Sequence, residues 1–205
     1  IGGGRLTGRV GATSIGLVSI QTDDERLSQS RETNFTVLRL KRDILRRSNV
    51  GVLMTGRTGT QGGLQDNFAY GVDSQLSFFQ NLTINSYWAR TEDDVRVRRA
   101  GSGNRDSYRG LFDFNGDRYG LLVERLSVGN GFAPGVGFVR RADMRRTSIE
   151  ARFSPRPRRN GIVRKYSYEG ELEFIDSGAG RLESRQQELQ FGIDFQNADR
   201  LIASY

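Results

Sequence analysis

The chain has 205 residues, room for one large β domain or two small ones. It holds no cysteine, which excludes a disulfide framework and any thiolate metal site, and no histidine, which removes the commonest general base and every histidine-based triad. The formal net charge is +7, 29 of the 31 basic residues are arginine, and no stretch approaches the 18 apolar residues of a membrane-spanning helix.

In chain order, period-two alternation marks about twelve runs. They lie near 5–10, 13–22, 34–43, 48–58, 67–78, 81–91, 107–115, 117–128, 144–154, 163–176, 181–196 and 200–205. In the fifth run Phe68, Tyr70, Val72, Leu76 and Phe78 fall on one face, and Ala69, Gly71, Asp73, Gln75 and Ser77 on the other. In the eighth, Tyr119, Leu121 and Val123 oppose Arg118, Gly120, Leu122 and Glu124. The tenth sets Tyr166, Tyr168, Leu172 and Phe174 against Glu169, Glu171 and Glu173. The eleventh sets Leu189, Phe191, Ile193 and Phe195 against Glu188, Gln190, Gly192 and Asp194. A helix would scatter these residues around its axis, whereas a strand sorts them into two faces.

The first eight connections alternate short and long. Gly11–Ala12, 44–47, Phe79–Gln80 and Asn115–Gly116 are short, and 23–33, 59–66, 92–106 and 129–143 are long. Asn-Gly between alternating runs is the strongest short-range hairpin signal. Several runs reach ten residues, and a tilted strand needs about nine to eleven to cross a bilayer. Length, loop parity and aromatics near strand ends therefore predict an all-β fold, an up-and-down antiparallel transmembrane β-barrel with about twelve strands in this segment. The chain starts at Ile1 without Met and stops inside a strand-like run. We expect one barrel domain over 1–205, cut from a larger barrel.

The residues also resemble a known family. The stretches GRLTGRVGATSIGLVSIQTDDE at 4–25, TNFTVLRLKRDILRRSNVGVLMTGR at 33–57 and NFAYGVDSQLSFFQNLTINSYWART at 67–91 are similar to the bacterial domain-of-unknown-function 5916 family. So are YRGLFDFNGDRYGL at 108–121 and GVGFVRRADMRR at 135–146. The resemblance implies the outer-membrane barrel that follows a family-nine carbohydrate-binding-like domain. The family carries no established catalytic residues.

On this reading the polar alternates face a lumen. They are Asp73, Arg118, Glu124, Glu150, Arg152, Glu169, Glu171, Glu173, Glu188 and Asp194, with Arg5, Thr7 and Arg9. Two readings stand side by side: an ion-pair lattice that neutralises a polar interior, or a selective pore lining. Three glutamates on one strand face repel unless arginines oppose them, and Arg39 and Lys41 are candidate partners. The most unusual loop is 129–146, with Phe132, Pro134, Phe138, Arg140, Arg141 and Asp143. It reads as a folded-in, strand-capping loop, or as a contact to lipopolysaccharide through Arg140, Arg141, Arg145 and Arg146. The acidic runs Asp23-Asp24-Glu25 and Glu92-Asp93-Asp94 lack the spacing of a calcium loop and read as solvated.

The expected function is a bacterial outer-membrane channel, or a membrane anchor and translocation unit for an appended domain. Its partners would be outer-membrane lipid and a lipopolysaccharide or saccharide ligand. No cofactor, no metal, no nucleic-acid partner and no catalysis are expected. The alternatives are a surface-attached carbohydrate-binding or polysaccharide-processing β protein whose active part lies outside this chain, a soluble sandwich or propeller, and an arginine-driven nucleic-acid binder.

Overall fold

The computed structural model describes residues 1–24, 32–59, 66–93, 103–159 and 161–205. The described residues form twelve strands: β1 (Gly2–Val10), β2 (Thr13–Thr22), β3 (Thr33–Leu45), β4 (Ser48–Gly59), β5 (Asn67–Phe78), β6 (Leu82–Asp93), β7 (Asp106–Asn115), β8 (Tyr119–Val128), β9 (Met144–Phe153), β10 (Val163–Ser177), β11 (Leu182–Phe195) and β12 (Arg200–Ser204). Each pairs antiparallel with the next in one sheet ordered β1 to β12. The twelve alternating runs thus become twelve strands with the neighbours that the hairpin signals imply.

Closure is where expectation and structure part. β1 pairs only with β2, β12 only with β11, and the two end strands make no contact with each other. The sheet is open, not a closed barrel. Hydrocarbon offers no partner to the unpaired backbone groups of an open edge. The transmembrane barrel, the outer-membrane location, the lipid partner and the channel or anchor role all stood on closure, and they are withdrawn. The two-layer sandwich is not found either, because all twelve strands belong to one sheet.

Short turns set the register. Gly11 turns between β1 and β2 at φ 58°, a left-handed conformation that glycine adopts without a Cβ penalty. The Asn-Gly hairpin forms, but not as the left-handed two-residue turn its sequence suggests. Gly116 lies outside the positive-φ set, and the turn runs over 116–118, closed by the Gly116 amide donating to the Tyr119 carbonyl at 2.9 Å. Here glycine supplies space, since a Cβ would stand 3.2 Å from the Phe114 ring.

Pairing carries the apolar alternates onto one face in continuous rows. One row reads Leu6, Leu17, Leu38, Met54 and Tyr70 across β1 to β5. Another reads Leu76, Ile84, Phe112, Val123, Ile149 and Leu172 across β5 to β10. An aromatic ladder crosses β8 to β11 through Tyr119, Phe153, Tyr168 and Phe191, with ring centroids 5.2, 6.1 and 5.1 Å apart. Among the described residues no second layer lies over this face: Phe68 is 48% and Val72 52% exposed. Among the described residues the only buried hydrophobic side chains are Val128 and Val163. The fully buried side chains are small and polar: Ser48, Thr91, Ser107 and Ser154.

Candidate functional site

The chemistry of the described residues is concentrated on the opposite, polar face. Because paired residues point the same way, the register brings Asp73, Glu124, Glu150, Arg152, Glu169, Glu171, Glu173, Glu188 and Asp194 to that one face. Arg118 is the exception among the residues expected there. It lies in the turn before β8, where its carbonyl accepts the Ser154 amide at 2.7 Å.

On β3 to β5 the face is clasped by one ion pair. Arg39 reaches over β4 to Asp73, with one guanidinium contact at 2.8 Å and a second to the other carboxylate oxygen. The strand between contributes Gly51, paired to both Lys41 and Asp73. A Cβ at Gly51 would stand 2.6 to 2.9 Å from the guanidinium, so the missing side chain makes the crossing possible. The hydrogen bond to Arg39 holds the Asp73 carboxyl below the usual carboxylate range, against partial burial.

A larger network spans β7 to β10. Glu124, 5% exposed, accepts from Arg109 Nε at 2.7 Å on one oxygen and from Arg146 on the other. Arg146 also stands 3.8 Å from Glu173. Burial pushes the Glu124 carboxyl up, but the hydrogen bonds from Arg109 and Arg146 outweigh it, and the net shift is downward.

Two residues further along each strand, the matching fails. One cross-strand row reads Asp113, Leu122, Glu150, Glu171 and Glu188. It floors a shallow cavity of about 400 Å³. Arg152, which could offset it, turns instead to the β7–β8 turn, donating to Asn115 Oδ1 at 2.8 Å and to the Gly116 carbonyl at 2.7 Å. Burial, with Glu171, Asp113 and Glu124 nearby, raises the Glu150 carboxyl above its ordinary value. Arg39 and Lys41 stand on β3 and take no part in the glutamate ladder of β10.

The 129–143 loop folds in over this face. Asn67, 3% exposed, donates to the Ala133 carbonyl at 2.9 Å and accepts from the Gly135 amide. Thr91 accepts from the Ala133 amide at 3.2 Å. Phe132 and Pro134 are thereby half-buried, while Phe138 is exposed at the far side. The second half is tied to the β10–β11 hairpin: Arg141 pairs with Glu183 at the start of β11, the Asp143 carbonyl accepts the Gly178 amide, and Arg145, at the start of β9, donates to the Gly178 carbonyl. The proposed anion contact is therefore corrected. Of its four arginines, Arg141, Arg145 and Arg146 are engaged within the chain, and no saccharide or lipopolysaccharide partner is retained. Among the described residues no cluster of acidic side chains could hold a metal ion. Glu25 and Asp94 of the two acidic runs lie outside the described residues.

Sequence reading missed Arg109, Asp113, Gly51 and Asn67, and it set Arg146 in an anion contact rather than beside Glu124. Each is ordinary in its own strand; the cross-strand register reveals the partners of the first three and of Arg146, and the fold of the 129–143 loop reveals those of Asn67. No family model, curated protein or solved structure matches the chain. With the sheet open as well, the resemblance to the 5916 family is withdrawn.

Proposed function

We propose that the chain is a non-catalytic interaction module, a broad sheet that buries its apolar face against an apolar polypeptide surface. One observation carries this reading. The apolar rows run from β1 to β11 uncovered, and the described residues bury almost no hydrophobic side chain among themselves. An exposed apolar patch beyond a few hundred Å² marks an interaction surface in a folded protein. The ion pairs of the polar face are consistent with this division of labour, since they tie neighbouring strands together from the other side. The non-catalytic part is supported by the chemistry of the carboxylates. Asp73 and Glu124 are consumed by arginines, and the acidic row faces other acids.

The test is to add an apolar-surface dye, anilinonaphthalene sulfonate, to the purified chain and to measure its mass by sedimentation. Strong dye fluorescence in the monomer, suppressed when the chain associates, is the expected result. A monomer with native strand content that leaves the dye dark would overturn the proposal.

A further inference from the structure

The outer edge of β1 is the longest unpaired backbone in the described sheet. Its nine residues pair with β2 through an uninterrupted register and are exposed throughout. It carries no proline and no bulge, and among the described residues no loop covers it. Two arginines could act as guards, but Arg9 is turned inward and bonded to Asp43 at 2.8 Å, across β2.

The two sides of β1 differ in what they lack. On the polar side, arginines deeper in the sheet meet carboxylates one or two strands away, as in Arg39–Asp73 and Arg109–Glu124. Among the described residues Arg5 has no such neighbour. Its row continues through Val18, Val37, Thr55 and Ala69. The missing carboxylate would have to come from beyond the edge. On the apolar side, Gly4 and Gly8 flank Leu6, and a Cβ at Gly4 would meet nothing within 4 Å. Open glycines on an edge leave room for large side chains of a neighbouring strand to lie across them.

We infer that the edge of β1 is a strand-docking site for an extended segment whose alternate residues are acidic on one side and large and apolar on the other. Main-chain hydrogen bonds would supply affinity, and the alternate side chains would supply selectivity. Copies of this chain fit poorly. The β12 edge brings Arg200, Ile202 and Ser204 to the polar side, and a second β1 brings its own arginines. This inference concerns the edge and is independent of what covers the apolar face.

The test uses the full chain and a capped nine-residue peptide alternating glutamate and phenylalanine, read by amide hydrogen exchange. Exchange at alternate amides of Gly2–Val10 should slow by about tenfold or more, with β12 unchanged. A lysine-for-glutamate peptide should give no protection, and Arg5→Glu should reverse that preference. If Arg5→Glu fails to fold, Arg5→Gln should abolish the preference between the two peptides. Equal protection by both peptides, protection only at β12, or none at all would overturn the inference. So would protection of β1 that grows with chain concentration in the absence of peptide.

Discussion

Two neighbouring rows of the polar face meet opposite electrostatic fates. Glu124 lies between a row containing Arg109 and Arg146 and a row containing Asp113, Glu150, Glu171 and Glu188. It takes both arginines, and their hydrogen bonds draw its carboxyl below the ordinary value against the opposing effect of burial. Glu150, one row further on, has Glu124 and the acids of its own row for neighbours, and its carboxyl is pushed up. The two glutamates sit on adjacent strands of the same sheet. What separates them is a two-residue step along the strand, which moves a side chain one row over on an unchanged face.

The contrast can be broken most strongly at Glu124. Glu124→Gln leaves two arginines facing each other without their shared anion. We expect a loss of roughly 2 kcal/mol in urea unfolding, below the figure for a fully buried pair because both arginines are over a third exposed. Asn67→Ala should come next, costing about 1–2 kcal/mol by removing a buried side chain that satisfies two loop groups. Faster proteolysis within 129–143 would report the loop's release.

Gly51→Val should cost about 1 kcal/mol at most, because it displaces a flexible, part-exposed guanidinium and adds a good strand former. Its sharper readout is an upward shift of the Asp73 carboxyl in an NMR titration. The smallest effect has the opposite sign. Glu150→Gln should stabilise the sheet by about 0.5 kcal/mol at neutral pH, by relieving like charges placed directly opposite.

The pH dependence separates the rows further. Asp73 and Glu124 have folded pKa values below their unfolded ones. Their contribution is present above the unfolded value and is lost as pH falls through the folded one. Glu150 is raised, so its contribution is full below the unfolded value and is lost as pH rises through the folded one. The gain from Glu150→Gln should therefore fade on acidification, while the loss from Glu124→Gln shrinks there too. Unfolding curves across the carboxylate range check both.

Much of the fold was legible because alternation is local. The run at 67–78 reads as a strand with Phe68, Tyr70 and Val72 together, and β5 places them so. For the loop at 129–146 the sequence left a folded-in cap beside an anion contact, and Asn67 and Thr91 hold its first half in. Partners were not legible, because register is a property of two strands at once. Arg39 was matched to the β10 glutamates on charge alone, although Gly51 opens a path to Asp73. Closure was not legible either. Alternation and loop parity describe how each strand meets the next, and they say nothing about whether the first meets the last. Arg118 shows the local limit: it fits the alternation of the eighth run, yet the turn claims it.

The open sheet is tested most directly by nitroxide labels at Thr7→Cys and Ile202→Cys, which the cysteine-free chain permits without background labelling. Neighbouring strands hold paired Cα atoms about 5 Å apart. The account predicts a spectrum of the double-labelled chain identical to the sum of the two single labels, with no short-range dipolar broadening. Strong broadening in the monomer would place β1 against β12 and contradict the open architecture.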